Sequence, residues 1–169
     1  MEAHGLAVAD SSPVIALETL GELRLLPALF ADIVVPLAVW AELDGKPNAP
    51  EPRRLLALPR VRVELPRFEV PEAATTLDEG ERQAIATALA LRADFVLIDE
   101  KRGRAVAAGL GLDVRGTLAV LIEAKRRALI GEVRPLLTRP REAGFHLTPA
   151  LVARVLAASG EPEQEGRGA

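Results

Sequence analysis

Two short apolar runs, residues 6–9 and 95–98, are each followed by an aspartate and then by a helix-opening segment. Both runs are apolar at every position and lack the alternation of a half-exposed strand. Such runs are typical of strands buried on both faces, as in a parallel sheet. Ligands bind outside the carboxyl ends of parallel strands. The pattern therefore predicts that Asp10 and Asp99 lie together at an acidic, metal-binding edge of the sheet.

The rest of the chain predicts strands and helices in alternation. Residues 61–65 alternate apolar and charged side chains, which favours an edge strand. Pro27 lies within the second helix, so we expect a break near Leu26. Residues 44–52 are rich in turn formers and predict a mobile loop. The predicted strands are 6–10, 33–35, 61–65, 95–99 and 113–114, and the predicted helices are one from Ser12 to a C-cap at Gly21 and then 22–30, 36–43, 53–58, 78–92, 101–110, 117–129, 133–142 and 149–158.

This alternation predicts the α/β fold class. Right-handed crossovers between successive strands give a three-layer α/β/α sandwich with a central, mainly parallel sheet. A chain of 169 residues is long enough for one sizeable core. We expect a single domain over residues 1–158, followed by a disordered, Gly- and Glu-rich tail over residues 159–169.

Composition narrows the class of protein. Apolar residues make up 49% of the chain, and no apolar stretch approaches the ~20 residues of a membrane span. The N-terminus carries Glu2 and lacks a basic signal region, so we expect a cytoplasmic protein with no membrane partner. The absence of cysteine excludes disulfides and thiolate metal sites. His4 and His146 stand alone, which excludes a histidine zinc site and a Ser-His-Asp triad.

Two further acids, Glu42 and Glu81, lie on predicted helices that could bring them to the same edge. Taken alone, Glu42 would be an ordinary solvated acid. Glu81 has a structural alternative, because Asp78 to Glu81 is a capping-box pattern. Glu100 is expected to be an exposed neighbour of Asp99, with a supporting role as its alternative.

The two strand-end aspartates also have structural alternatives. Asp10 could cap the helix behind it, but we expect Ser12 to be that N-cap, which leaves Asp10 for function. Asp99 could be a turn residue or the cap of the helix that begins at Lys101. Thr117 is first of all a predicted helix N-cap, and it could also orient a phosphate or water at that helix end.

Clustered acids need a cation. Two carboxylates ~4 Å apart repel by about 4 kcal/mol at an effective dielectric near 20. All-oxygen ligation suits Mg²⁺ or Mn²⁺, which can bind a substrate phosphate and activate water for phosphodiester cleavage. We therefore expect Asp10 and Asp99, together with Glu42 because its helix starts right after a strand, to be the main metal ligands, and Ser11 to be a hydrogen-bonding assistant. Glu81 is either the capping-box residue or an additional ligand or water-orienting acid.

Nucleic-acid contact should run through the phosphate backbone. The net charge of −3 argues against a uniformly basic surface, but basic residues cluster locally. The four Phe and one Trp lie in apolar surroundings suited to a core, which argues against base stacking. The cations expected to hold phosphates are Arg53, Arg54, Lys101, Arg102 and Arg104, and the alternative for each cluster is a solvated helix face.

Four motifs in order resemble those of the PIN-domain family, over roughly residues 6–156. They are Ala-Asp-Ser-Ser-Pro-Val-Ile-Ala-Leu, Val-Pro-Leu-Ala-Val-Trp-Ala-Glu-Leu, Asp-Glu-Gly-Glu-Arg-Gln-Ala-Ile-Ala, and Val-Leu-Ile-Asp-Glu-Lys-Arg-Gly-Arg-Ala-Val-Ala followed by Gly-Thr-Leu-Ala-Val-Leu. The chain looks closest to a branch described as predicted nucleic-acid-binding proteins, related to the VapC-type toxins.

The resemblance implies a metal-dependent endoribonuclease whose catalytic acids are Asp10, Glu42, Glu81 and Asp99. It also implies a homodimer and a small antitoxin partner, which would make the chain the toxin of such a pair. Many family members carry Asp where this chain has Glu81, and a second Asp where it has Glu100. These departures leave open whether one or two metals bind, and which of Glu79, Glu81 and Glu100 assists.

Two other functions would also place acids at the ends of strands. A PIN-like module that binds RNA or forms a complex, with acids too incomplete for turnover, is the alternative to a nuclease. A phosphoacceptor receiver domain also places acids at strand ends, but it would need an acidic pair where Ala9 precedes Asp10. It would also need a lysine after the last strand, where the chain has Arg115 and Gly116.

Overall fold

A computed structural model describes residues 4–65, 67–138 and 147–161, and a five-stranded, all-parallel sheet forms the centre of this part. In spatial order the strands are β3, β2, β1, β4 and β5. Their bounds are β1 Leu6–Ala9, β2 Asp32–Pro36, β3 Val61–Glu64, β4 Phe95–Leu97 and β5 Val114–Arg115. The all-parallel sheet confirms the expectation drawn from the unalternated apolar runs.

The order in which strands are added to the sheet changes sides at β1. From β1 the chain moves outwards to β2 and then β3, and it returns across the sheet to β4 on the other side of β1. Val8 of β1 pairs with Val34 of β2 and with Val96 of β4. In open parallel sheets such a reversal opens a crevice at the carboxyl ends of the two central strands. Here those strands are the two that precede Asp10 and Asp99.

Helices cover both faces of the sheet. They are α1 Ser11–Thr19, α2 Leu25–Leu29, α3 Leu37–Leu43, α4 Pro52–Ala57, α5 Glu79–Leu91, α6 Lys101–Gly109, α7 Thr117–Arg126, α8 Arg134–Thr138 and α9 Pro149–Ala158, with one 3₁₀ turn at Glu72–Ala74. Helix α5 packs on β1, β2 and β4, whereas α7 packs on α1, α2 and β5. Right-handed crossovers put the outward and the returning helices on opposite faces, which gives the predicted α/β/α sandwich.

The core lies between these layers. Ala7, Val8 and Ala9 of β1 are fully buried, as are Val96 and Leu97 of β4. Burial at consecutive positions means that both faces of these strands are covered. Within the described ranges, no helix has both the length and the apolar character of a membrane span.

The structure changes the prediction for the second helix. A helix over residues 22–30 with a break near Leu26 was expected, but α2 begins only at Leu25. Pro27 therefore lies in the first turn of α2, where a missing N–H removes no intrahelical hydrogen bond. The proline sets where the helix starts and does not kink it.

The predicted edge strand and the C-terminal elements follow. Strand β3 does lie at an edge, where Arg62 forms ion pairs with Asp32 and Glu64. The last predicted helices correspond to α8 and α9, although residues 139–142 of the first lie outside the described residues. The predicted disordered tail over residues 159–169 begins too early, because Ser159 is buried and Glu161 accepts the N–H groups of Val133 and Arg134. For residues 162–169, which lie outside the described residues, the tail stays a prediction.

Candidate functional site

The predicted acids gather at the carboxyl edge of the sheet. Asp10 follows β1 directly, and Asp99 lies two positions after the end of β4. Glu42 is on α3, which begins immediately after β2, and Glu81 is in the first turn of α5. Two strand ends, the last turn of α3 and the first turn of α5 therefore deliver the four carboxylates to the same side of the molecule.

Asp10 is buried and only partly satisfied. Its side chain is the N-cap of α1, because Oδ2 accepts the Ser12 N–H at 3.5 Å, so the prediction that Ser12 is the N-cap was wrong. The other oxygen, Oδ1, has no hydrogen-bond partner among the described residues. Burial, with smaller contributions from the charges of Asp78 and Glu42, raises the pKa of the Asp10 carboxyl from 3.8 to about 7.

Glu42 is held by three donors. Its Oε1 accepts the Gly80 N–H at 2.7 Å, and its Oε2 accepts the Ser11 hydroxyl at 3.1 Å and the Lys46 ammonium at 3.2 Å. Lys46 Nζ is also 3.1 Å from the Ser11 oxygen. This carboxylate therefore links the start of α1, helix α3 and the start of α5, which fixes its direction toward Asp10.

Glu81 is buried next to the α5 cap. Asp78 is the N-cap of α5, and its Oδ1 accepts the Glu81 N–H at 2.9 Å, so this half of the predicted capping box is present. Glu81 itself is 5% exposed, and its Oε1 has no hydrogen-bond partner within the described part of the chain. Burial raises the pKa of the Glu81 carboxyl, the charges of Asp78 and Glu100 add to that effect, and Arg102 opposes it.

Asp99 is anchored by Thr117. Its Oδ1 accepts the Thr117 N–H and its Oδ2 accepts the Thr117 hydroxyl, both at 2.7 Å. Burial raises the pKa of the Asp99 carboxyl, while the Thr117 hydrogen bonds and the charge of Arg104 lower it. The prediction that Thr117 is the N-cap of α7 was wrong, because Gly116 occupies that position. Asp99 supplies the acceptor that Gly116 lacks.

The other two acids near these residues differ in their surroundings. Glu79 forms ion pairs with Arg67 and Arg82, at the outer side of the α5 start. Glu100 is exposed, as expected, and its charge raises the pKa of both Glu81 and Asp99. Of these two, Glu100 is the one whose charge acts on the buried acids.

Charge interactions connect the acids in a chain, in which Asp78 acts on both Asp10 and Glu81, and Glu100 acts on both Glu81 and Asp99. Asp10 is influenced by Glu42 and Asp78, and Glu81 by Asp78 and Glu100. In residues 4–65, 67–138 and 147–161, no three His, Cys, Asp or Glu side chains stand close enough together to hold a metal ion. The convergence of Asp10, Glu42 and Asp99 on one ion, with Glu81 at its margin, stays a prediction.

The basic residues divide between two regions. Lys101, Arg102 and Arg104 are exposed on the first turns of α6, and two of them act on the pKa values of the buried acids. Arg54 forms an ion pair with Glu18, in the last turn of α1. Because α1 begins at the acids and runs away from them, this pair lies at the far end of that helix. Arg53, its neighbour on α4, is exposed.

Open clefts adjoin the acids on the α6 side. One, of about 620 Å³, is lined by Asp99, Arg104 and apolar residues of α7 and α9. A second, of about 590 Å³, also touches Asp99 and Arg104 and includes Lys101. Through both clefts water can reach Asp99, which is partly buried and covered on its other side by Thr117.

Sequence reasoning missed three residues of this region. Lys46 does lie in the predicted loop after α3, but its ion pair with Glu42, four positions earlier, was not predicted. Asp78 was considered only as a cap, yet its charge acts on Asp10 and Glu81. Gly80 was not singled out, and no pattern in the sequence indicates that its N–H would meet a carboxylate from another helix.

Comparison with known protein families identifies the family of this chain. A family model described as PIN domain matches residues 6–161. The chain belongs to the PIN-domain family. This confirms the resemblance carried by the four motifs. PIN domains are generally nucleases that use divalent metals, which supports a hydrolase of this general kind. Comparison with the curated proteins and with the solved structures finds no significant match.

Proposed function

We propose that this PIN domain is a metal-dependent endoribonuclease that hydrolyses RNA phosphodiester bonds. The observation that carries the proposal is the pair of buried, unpartnered carboxylate oxygens, Asp10 Oδ1 and Glu81 Oε1. A buried ionised oxygen without a donor is costly, and native proteins leave few of them. Both oxygens lie in the group of charges that centres on the carboxyl edge of the sheet.

These residues fit a divalent cation. Carboxylate oxygens are the ligands that Mg²⁺ and Mn²⁺ prefer. The chain has no cysteine, and His4, the one histidine among the described residues, lies beside Leu29, Phe30 and Phe95. Asp10 and Glu81 would offer their unpartnered oxygens, with Glu42 and Asp99 as the other acids of the set. When bound there, the ion would supply Lewis-acid assistance to phosphodiester hydrolysis.

The supporting residues have distinct tasks. Ser11 donates to Glu42 and keeps that carboxylate turned toward the start of α1. The Thr117 hydroxyl is engaged by Asp99, so we assign it to orienting Asp99 and not to contacting phosphate. Glu100 is exposed beside the buried acids and is assigned an auxiliary role.

The RNA backbone would be held on the α6 side. Lys101, Arg102 and Arg104 are exposed on the first turns of α6. Lys101 and Arg104 border the clefts that reach Asp99, and the charge of Arg102 acts on Glu81. Aromatic rings offer little alternative, since Phe30 and Phe95 pack on each other with ring centroids 5.6 Å apart. Arg53 and Arg54 would contribute only to a longer RNA that extends past the first site.

Two assignments follow from the resemblance to VapC-type toxins. We propose that the protein acts in the cytoplasm as a homodimer and that a small antitoxin protein inhibits it. A second candidate function is an RNA-binding or complex-forming module with little or no turnover. It is favoured by one observation, the hydrogen bond that each Asp99 oxygen accepts from Thr117, which leaves this predicted ligand fewer free lone pairs for a metal.

A metal titration separates the two candidates. Single-stranded RNA of mixed sequence would be incubated with the protein in Mg²⁺, Mn²⁺, Ca²⁺ or chelator, and both cleavage and binding would be measured. The nuclease predicts cleavage that rises with Mg²⁺ or Mn²⁺, whereas Ca²⁺ supports binding alone. Metal-independent RNA binding with no cleavage in any ion would favour the module instead.

A further inference from the structure

Several carboxylates of the acidic edge stand directly against the backbone of a neighbouring glycine. A Cβ built on Gly103 of α6 would lie 2.9 Å from Glu81 Cδ, and its Oε1 would be nearer still. A Cβ on Gly80 of α5 would lie 2.5 Å from Glu42 Oε1 and 2.7 Å from Cδ. Real Cβ atoms do not come this close to other heavy atoms, so any side chain at either glycine would displace the acid.

Backbone conformation does not explain these two glycines. Both have ordinary helical backbones, because neither is among the glycines with positive φ. Glycine within a helix is less stable than alanine at the same position. Gly103 also lies in an alanine-rich helix, where alanine would be the expected residue. Both positions require glycine because a Cβ there would occupy the space of the facing carboxylate.

We propose that Gly103 and Gly80 are positioning residues that set where the carboxylates of Glu81 and Glu42 stand. This proposal rests on the metal-dependent function proposed above and assigns the packing that shapes its ligand set. Gly80 acts twice, since its N–H also donates to Glu42 Oε1 at 2.7 Å. Gly103 acts by shape alone.

Glu81 is the group that has to move if Gly103 gains a side chain. The carboxylate is buried between α5 and α6, and Ile98 Cγ2 lies on the side where the Cβ would point. The charges of Asp78 and Glu100 are the other neighbours that act on it. A methyl group at position 103 would therefore swing the flexible carboxylate away without breaking the core, so metal binding should suffer more than folding.

The test compares two glycines of the same helix. Gly103→Ala is the probe, and Gly109→Ala is the matched control, because no atom lies within 4 Å of a Cβ at position 109. Mn²⁺ affinity would be measured by calorimetry, and the melting temperature in the absence of metal. We expect the control to leave Mn²⁺ affinity unchanged and to raise the melting temperature by roughly 2–3 °C through helix propensity.

Gly103→Ala should change the Mn²⁺ affinity without lowering the melting temperature. We expect its Mn²⁺ affinity to fall about 10- to 100-fold, the usual cost of disturbing a group that orients a metal ligand. Its melting temperature should stay at or above that of the wild type. A loss of Mn²⁺ affinity that follows a general loss of structure would instead lower the melting temperature by several degrees.

A double-mutant cycle shows whether the effect passes through Glu81. Glu81→Ala removes the atoms that the new methyl group would strike, so adding Gly103→Ala to it should weaken Mn²⁺ binding no further. An equal loss in both backgrounds would overturn the proposal, as would a Gly103→Ala variant that binds Mn²⁺ like its control. If the wild type binds no Mn²⁺, the proposed function fails and this role fails with it.

Discussion

Two corners of the molecule place an acid at a helix N-terminus, and they treat it in opposite ways. At the start of α8, the Glu161 carboxylate accepts the N–H groups of Val133 at 2.7 Å and Arg134 at 3.0 Å, and Lys125 Nζ is 3.3 Å away. At the start of α1, Asp10 Oδ2 accepts the Ser12 N–H at 3.5 Å, and the Ser11 N–H also lowers the pKa of the carboxyl, whereas Oδ1 has no hydrogen-bond partner among the described residues.

The pKa values follow this difference. Hydrogen bonds from Val133 and Arg134 and the charge of Lys125 outweigh desolvation and lower the pKa of Glu161. Burial and neighbouring acids raise the pKa of Asp10 to about 7. An acid that stabilises a fold is surrounded by donors, as Glu161 is. An acid left buried without them costs stability, and such groups concentrate at functional sites.

Removing the charge of Asp10 is expected to have the largest effect. Asp10→Asn should lower metal-dependent RNA cleavage by at least about 100-fold. Mutating a residue that only orients a metal ligand already lowers metal affinity or activity about 10- to 100-fold, and Asp10 is proposed to be a ligand itself. Saturating Mn²⁺ should raise the melting temperature of the wild type by mass action and leave the variant nearly unchanged. The metal-free variant should be as stable as the wild type or more so. A variant that unfolds without metal would make Asp10 a structural residue.

The contributions of Asp10 and Glu161 to the free energy of unfolding should depend on pH in opposite directions. The folded-state pKa of Asp10 is raised to about 7, so the native state binds more protons than the unfolded state between about pH 4 and 7. The free energy of unfolding should therefore fall as pH rises through this window, by up to about 4 kcal/mol from Asp10. Asp99 and Glu81 act in the same direction, since their pKa values are also raised.

Glu161 provides the opposite sign as a control. Its pKa is lowered, so its contribution to stability is present above its ordinary value of 4.5 and is lost as pH falls below it. Chemical denaturation from pH 4 to 8 should show a flatter profile for Asp10→Asn than for the wild type. Glu161→Gln should lose stability near neutral pH and converge on the wild type in acid. Parallel profiles for all three proteins would contradict this account.

The fold was predictable because its signals are local. Consecutive apolar residues over 6–9 and 95–98 require two covered faces, and the structure buries both strands. The order of strands and helices then leaves few topologies. The element boundaries moved by only a few residues, as at α2, where Pro27 can occupy the first turn of a helix but not its middle.

The positions of the acids along the elements were predictable, whereas their hydrogen-bond partners were not, and their shared role in one site stays a prediction. Sequence spacing placed Asp10, Glu42, Glu81 and Asp99 at one edge, because strand ends and helix starts fix where a side chain begins. It did not show that Asp99 binds Thr117, which lies 18 positions away. Helix caps were assigned from the nearest polar residue, and at α1 and α7 the acceptor is instead an acid that ends a strand.

The contrast also predicts where RNA binds. Neutralising Arg102 and Arg104, beside the unsatisfied acids, should weaken RNA binding about equally for all sequences. Each lost phosphate contact should flatten the salt dependence of log K by roughly 0.7 for single strands. Affinity would be measured at several salt concentrations in Ca²⁺. Arg126→Ala is the control, since this exposed residue ends α7 away from the acids. An unchanged slope for the double variant would place the RNA elsewhere.

The smallest expected effect concerns Lys46, a cation that is hydrogen-bonded to the site acid Glu42. Its ammonium lies 3.2 Å from Glu42 Oε2 and 3.1 Å from Ser11 Oγ, so it partly neutralises the acids in the absence of metal. A divalent cation bound nearby would repel it. Lys46→Met should therefore tighten Mn²⁺ binding about three- to tenfold at low ionic strength, in line with charge interactions of about 1 kcal/mol near solvent.

Lys46→Arg keeps the charge and should bind Mn²⁺ as the wild type does, and added salt should shrink the gain of Lys46→Met because it screens exposed charges. Calorimetric titration of the three proteins at two salt concentrations measures both effects. Weaker Mn²⁺ binding by Lys46→Met would mean that the ammonium mainly holds Glu42 in place. In that case the acidic edge would depend on a fixed cation, as Glu161 depends on Lys125, and the two corners would differ less than their pKa values indicate.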